Sequence, residues 1–230
     1  MPINYPNYVV TPVFCKIKKL NKNISSRTEL TAKLDNNYDK SILFILMNPS
    51  KANEVESDRT INKCASIAFH DLEHLHIGQF SIVNIYPFYE SNSKELNTVI
   101  NNVKAVSKTF YYREIFYNLK VVENKIRNSD FVMLGTGGIP KDIDNVKEYQ
   151  FILNTFISYI ECHQGKVFLG TSQKYHNKYI YKGKYSYHIC PKGNPNTIER
   201  IKLHNIKNGK FINLPIEKEI ILKNKARNGI

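Results

Sequence analysis

A short apolar run, Ile42-Leu-Phe-Ile-Leu46, stops abruptly at Met47-Asn48-Pro49-Ser50, and this boundary constrains the fold more than any other part of the chain. Successive side chains of a strand point to opposite faces, so an unbroken apolar run must be covered on both sides. The proline that follows cannot continue a hydrogen-bonded ladder. The polar groups of Asn48 and Ser50 therefore emerge just past the carboxyl end of a buried strand. That is where ligands gather in open α/β sheets. A second strand, Ser81-Ile-Val-Asn-Ile-Tyr86, also carries an asparagine, Asn84, where its apolar run gives way to aromatics. Two strands that each end in asparagine suit a pocket that reads a nucleobase.

Around these strands the hydrophobic period alternates between two and 3.6. Thr28, Leu30, Ala32 and Leu34 alternate with charged or polar neighbours, which predicts a half-buried strand. Thr11 to Lys19 is expected to pair with it across the polar turn Asn21-Lys22-Asn23, forming an N-terminal antiparallel hairpin within residues 1–40. Asp58 is placed to cap a helix starting near Thr60, with Ile61, Cys64, Ala65, Ala68, Leu72 and Leu75 on its buried face. Val99 to Ile126 outlines one long helix or two in sequence, and Tyr149 to Ile160 a further amphipathic helix. Short strands are predicted at 131–134, 167–170 and 185–189. Strands alternating with helices imply an α/β fold, a three-layer α/β/α arrangement with a mostly parallel central sheet. There is no internal repeat or composition break, so residues 1–230 read as one domain, with 208–230 a basic C-terminal tail.

Composition narrows the partners. The 33 Lys and Arg against 20 Asp and Glu leave a formal charge of +13, which favours an anionic partner. From Lys174 to Lys210 there are nine cations against one acid, Glu199, interleaved with Tyr175, Tyr179, Tyr181, Tyr185 and Tyr187. Cations suit phosphates and aromatic faces suit bases, so this segment reads as a nucleic-acid footprint or as a solvated basic loop. Cys15, Cys64, Cys162 and Cys190 are too widely spaced for a zinc ribbon or an iron–sulfur site, and neither metal nor cofactor is expected. No leader or membrane span is read from the sequence, and a cytoplasmic location is the expectation. Gly135-Thr-Gly-Gly138 lacks the lysine and the spacing of a phosphate-binding loop, and is expected to be a tight turn after a strand.

The order Phe44-Ile-Leu-Met-Asn-Pro-Ser50, Asp58-Arg-Thr-Ile-Asn-Lys-Cys64, Ile82-Val-Asn-Ile-Tyr86 and Leu169-Gly-Thr171 resembles a family recorded only as a domain of unknown function. Its members read as a strand ending MLNPS, a DPTIRRC helix and a VNL strand. That family is similar in turn to the uracil-DNA glycosylase superfamily, matched here by Asn48-Pro49-Ser50, Val83-Asn84-Ile85, Leu169-Gly170 and Tyr187-His188.

The resemblance implies a glycosylase-like fold whose pocket is formed by residues 47–50, 84–89 and 188–194. Removing a base requires extruding it into a snug pocket that bonds its edge and stacks its ring. In such a site Asn48 and His188 are the catalytic candidates, Asn48 holding a water or bonding the base and His188 standing where an electrophilic or phosphate-side histidine is expected. Met47, Pro49, Ser50, Asn84, Tyr86, Phe88 and Tyr89 would line the base pocket; the aromatics read equally as core residues. Lys174, Lys178, Lys182, Lys184, Lys192 and Asn194 would meet DNA or a small acidic protein that mimics it. The departures point away from catalysis. Asn48 stands where active branches carry an aspartate, and asparagine cannot act as a general base. His188-Ile-Cys-Pro-Lys lacks the expected Pro-Ser and any leucine wedge. A catalytically degenerate glycosylase is the first expectation, and an active glycosylase for uracil or a modified base the alternative.

Overall fold

The computed structural model describes residues 3–22, 24–89, 95–140, 142–214 and 219–223. Its strands are β1 (Ile3–Asn4), β2 (Phe14–Lys19), β3 (Ser25–Lys33), β4 (Lys40–Leu46), β5 (Glu56–Ser57), β6 (Ile77–Asn84), β7 (Phe131–Leu134), β8 (Lys166–Thr171), β9 (Arg200–Lys207), β10 (Lys210–Asn213) and β11 (Ile220–Ile221). The helices are α1 (Arg59–Ser66), α2 (Leu96–Val106), α3 (Lys108–Arg127) and α4 (Val146–His163). β1 and β5 form a small antiparallel pair. The others build one nine-stranded sheet in the order β10-β9-β8-β7-β4-β6-β3-β2, with β11 also paired to β9.

Only β6, β4, β7 and β8 run parallel to one another. The pairs β2–β3, β3–β6, β8–β9, β9–β10 and β9–β11 are antiparallel. The sheet is therefore mixed and mostly antiparallel, which corrects the expectation of a mostly parallel one. The reason lies at its flanks. The β2–β3 hairpin adds β3 antiparallel to the outside of β6, and the chain reverses between β8 and β9 without a crossover helix.

Alternation along the strands feeds two cores. Leu43, Ile45 and Met47 pack with Ile115, Leu119, Phe156 and Ile160 of α3 and α4. Ile42, Phe44 and Leu46 face the other way, towards Ile61, Cys64 and Ala65 of α1 and towards Tyr5 and Val9. α1 begins as its sequence dictates, with Asp58 Oδ1 accepting from Thr60 N at 2.7 Å and Ile61 N at 3.0 Å. The helical stretch 96–127 is two helices. Ser107 interrupts it with extended backbone and caps α3 through its hydroxyl, which accepts from Phe110 N at 3.2 Å.

The expected strand at 185–189 is not one: Tyr185 makes an isolated bridge to Tyr181, and the residues after it are irregular. The expected basic tail instead contributes β10 and β11, while residues 215–218 and 224–230, like Asn23 of the predicted turn, lie outside the described residues. Beyond β11 the chain stays bound, since Leu222 is buried and Lys223 N donates to Asp71 Oδ1 at 2.6 Å. Among the described residues no helix is long and apolar enough to cross a membrane.

The parallel strands place a site. From β4 the chain passes through α1 to β6 on one side, then through α2 and α3 to β7 on the other side of β4. Connections that leave neighbouring strands in opposite directions open a crevice beyond their carboxyl ends. Here that crevice lies between the end of β4, at Met47-Asn48, and the end of β7, at Gly135-Thr136.

Candidate functional site

Three segments meet at this crevice. The first is the turn after β7, held to the sheet by Gly135 N donating to Ile45 O at 2.9 Å. The second, residues 185–190, lies directly on that turn. Thr136 N donates to the buried Ser186 Oγ at 3.0 Å. A methyl group added to Gly135 would stand 2.4 Å from Ile189 Cγ1. One added to Gly137 would stand 3.3 Å from His188 Cβ and 3.7 Å from Met47 Cε. The glycines of Gly135-Thr-Gly-Gly138 are thus required by the close approach of another segment, and Gly137 also by its φ of +74°.

The third segment runs from Met47 to Asp58. Ser50 Oγ donates to Asp58 Oδ2, while Asp58 Oδ1 is taken by the first amides of α1. Both carboxylate oxygens are therefore engaged. Arg59 Nη1 donates to Gly193 O at 3.4 Å, which ties the start of α1 to the turn after His188.

His188 sits where these segments meet. Cys190 N donates to its Nδ1 at 3.0 Å, so Nδ1 carries the lone pair and the proton of the neutral ring resides on Nε2. Burial pushes the imidazole down to about 4, against the opposing pull of the Asp58 carboxylate. At neutral pH His188 is an uncharged hydrogen-bond donor. Cys190 beside it is no thiolate, since burial raises its thiol to about 11 despite a bond to Thr60.

A cleft of about 540 Å³ opens next to the crevice, lined by residues that include Lys174, Tyr175, Lys178, Tyr181, Lys182 and Tyr187. Tyr175 and Tyr187 stack at 3.8 Å with planes 9° apart, and Tyr181 stands 6.1 Å from Tyr187. Tyr181 also rests on Gly138, where an added methyl would meet its ring at 3.1 Å. The cleft and the crevice are thus walled by one continuous segment. Lys182 and Gly183, both with positive φ, form a tight tip closed by Tyr181 N donating to Tyr185 O at 2.7 Å. That tip presents Lys182 and Lys184 to solvent. At the base of the segment Thr171 Oγ1 donates to Lys178 O at 2.5 Å.

The structure gathers some of the expected site residues and separates others. Met47, Ser50 and His188 converge, and half-buried Asn48 stands between Met47 and Ser50. Pro49 is buried in the same turn. Asn84 lies on the far side of β4 from the crevice, opposite Leu46 in the ladder and 1% exposed. Among the described residues its Nδ2 has no hydrogen-bond partner, and its backbone carbonyl accepts from Asn118 Nδ2 at 2.9 Å. Tyr86 and Phe88 are core residues with no exposure, Tyr86 6.3 Å from Tyr149 and Phe88 stacked 5.6 Å from Tyr111. Their faces are covered rather than offered to a base. Tyr89 turns its ring to Arg27 at 5.7 Å and donates its hydroxyl to Ala52 O at 3.2 Å.

The basic footprint divides as well. Lys174, Lys178, Lys182 and Lys184 are exposed around the cleft, and Asn194 is exposed in the turn after His188. Lys192 belongs to that turn, but its side chain lies outside the described part. Lys207 and Lys210 face each other at the far end of the sheet, because β9 runs antiparallel to β8 and carries them away. Asp58 and Ser186 are the site residues that the sequence reading missed. Asp58 was legible only as a helix cap, and Ser186 gives no signal until the loop is seen on Thr136.

Residues 27–176 match the model of a family described as a protein of unknown function, DUF1643. The match runs from β3 through β8, so it includes the Asn48 turn and Asp58, and it stops short of the Lys182 tip, His188 and β9. No curated protein and no solved structure matches the chain.

Proposed function

We infer the function of this chain from its own geometry, because it belongs to DUF1643, a family described only as protein of unknown function. The reading is a DNA-binding protein of uracil-DNA glycosylase-like build, with base excision lost or vestigial. The observation that carries it is the lysine- and tyrosine-lined cleft opening beside the switch-point crevice at His188. Phosphates would lie along Lys174, Lys178 and Lys182, and an unstacked base against the tyrosine rings. Neutral His188 would offer a hydrogen bond without the cost of burying a charge.

Degeneracy is supported by the carboxylate in the crevice. Asp58 spends Oδ1 on the first amides of α1 and Oδ2 on Ser50, which fixes it as a helix cap rather than directing it at a water. A small acidic protein presenting carboxylates at phosphate spacing would use the same lysines. The second reading, an active glycosylase with water held by Asn48, is favoured by one feature. A neutral imidazole with its proton on Nε2 is suited to stabilise the charge developing on a departing base.

Binding of single- and double-stranded oligonucleotides, with and without uracil, over a range of salt tests the first reading. Affinity should fall steeply with salt, and Lys178→Glu/Lys182→Glu/Lys184→Glu should weaken it by more than about tenfold and flatten the salt slope. Salt-independent binding, or none, would remove DNA as the ligand. Alkali cleavage of abasic sites after incubation separates the readings: scission that disappears in Asn48→Ala would establish the enzyme.

A further inference from the structure

A second surface, on the other flank of the sheet, has the features of a protein-docking edge. Among the described residues β2 is the last strand of the large sheet and pairs only with β3, so its outer backbone edge has no ladder partner there. Such an edge is normally blunted or covered. β2 carries three lysines and a register shift between Lys16 and Ile17, yet five of its six residues are exposed, including Phe14 at 57% and Ile17 at 39%. Between this hairpin and α3 lies a cleft of about 380 Å³ whose lining includes Lys16, Ile17, Lys18, Arg113, Glu114 and Tyr117.

The charge of this cleft is one-sided. Its lining carries three cations and a single carboxylate, Glu114. That carboxylate is buried and accepts from Lys18 Nζ at 2.7 Å, yet Lys18 remains 56% exposed. Lys16 lies 5.2 Å over the Tyr117 ring with no acid paired to it among the described residues. The neighbouring Glu29 is held by Lys125. Lys19 extends the cationic row along the strand.

We propose that β2 is a docking edge for an extended acidic peptide segment of a partner protein, which adds a strand to the sheet and lays its carboxylates over Lys16, Lys18 and Arg113. A peptide fits because an open strand edge offers alternating N–H and C=O groups, which only another backbone satisfies. Phosphates accept but do not donate, so nucleic acid would leave the outward carbonyls unmet. A second copy of this chain would bring the same lysine-rich strand against itself, and like charges across a strand pair are destabilising. Apolar side chains alternating with the acids would face the other side of the sheet, alongside Ile17.

The test uses the full chain and a fluorescein-labelled (Glu-Val)4 octapeptide, with (Lys-Val)4 and an alternately N-methylated (Glu-Val)4 as controls. Anisotropy should show saturable binding of the acidic peptide, weakened at least about tenfold in each control. Lys16→Glu/Arg113→Glu should cause a similar loss, with an unchanged circular dichroism spectrum and unchanged oligonucleotide affinity. Amide exchange over residues 14–19 should slow when the acidic peptide is bound. Absence of binding, or equal binding of the N-methylated peptide, would overturn the proposal. So would a matching loss of oligonucleotide affinity, which would assign the patch to nucleic acid. A dimer that dissociates in the charge-reversed variant would assign it to self-association.

Discussion

At the scale of single residues, the crevice depends on groups that tolerate little change. The imidazole of His188 binds its proton near pH 4 when folded and near 6.5 when free. Between those values the unfolded chain holds the extra proton, so stability rises with pH across the window. The contribution is complete above about 6.5, and up to roughly 3 kcal/mol is lost as pH falls towards 4. His204, also lowered by burial, acts in the same direction. Urea unfolding at a series of pH values should therefore show a slope that His188→Gln reduces and does not abolish. The glycine turn offers a second measurement. Gly137→Ala must bear both the positive φ and the crowding against His188, whereas Gly165, with φ +66°, has nothing within 4 Å. Gly165→Ala should cost about 1 kcal/mol for the backbone alone, and Gly137→Ala more, the difference measuring how tightly the 185–190 segment is pressed onto the turn.

At the scale of elements, the start of α1 was legible because its cap and first apolar positions agree, whereas the single helix expected as far as Leu75 gives way after Ser66 to a π turn at Ile67–Asp71 and a 3-10 turn at Glu73–Leu75. Asp58→Ala should destabilise the fold by about 1–2 kcal/mol in chemical denaturation and release Ser50, with faster amide exchange in residues 48–58 as the local readout. The break at Ser107 was undecided in the sequence because apolar residues keep helical spacing on both sides of it, and only the backbone at the junction tells one helix from two. β9 was missed for a different reason. Ile201, Leu203 and Ile206 are interleaved with lysine, histidine and asparagine, so charge masked the alternation. Conversely, Tyr185 to Ile189 has the composition of a strand but spends its buried side chains on the glycine turn. Strand direction has no signature in a period of two, which is why the antiparallel pairings of β3 with β6 and of β8 with β9 were not foreseen, whereas the β2–β3 hairpin was. Of the site, the Asn48 turn and the cleft lysines could be read, whereas the burial of Tyr86 and Phe88 and the displacement of Asn84 depend on packing between distant segments.

At the scale of the whole molecule, the sheet has a parallel centre that opens one crevice and antiparallel flanks on either side of it. The β8–β9 flank carries the lysine-tipped segment at its upper end, and the β2–β3 flank leaves an open strand at the opposite edge. Charge reversal at 178, 182 and 184 and at 16 and 113 should therefore act independently, and the combined variant should show additive losses in the two binding assays. The anchoring of Leu222 and Lys223 against the α1 side has a further consequence during synthesis. While the chain is still on the ribosome, that side of the sheet lacks the cover given by Leu222 and Lys223 until residues 219–223 leave the exit tunnel. Ribosome-bound chains stalled with residue 214 just emerged should be cut readily by protease near α1, and chains released after residue 223 should resist.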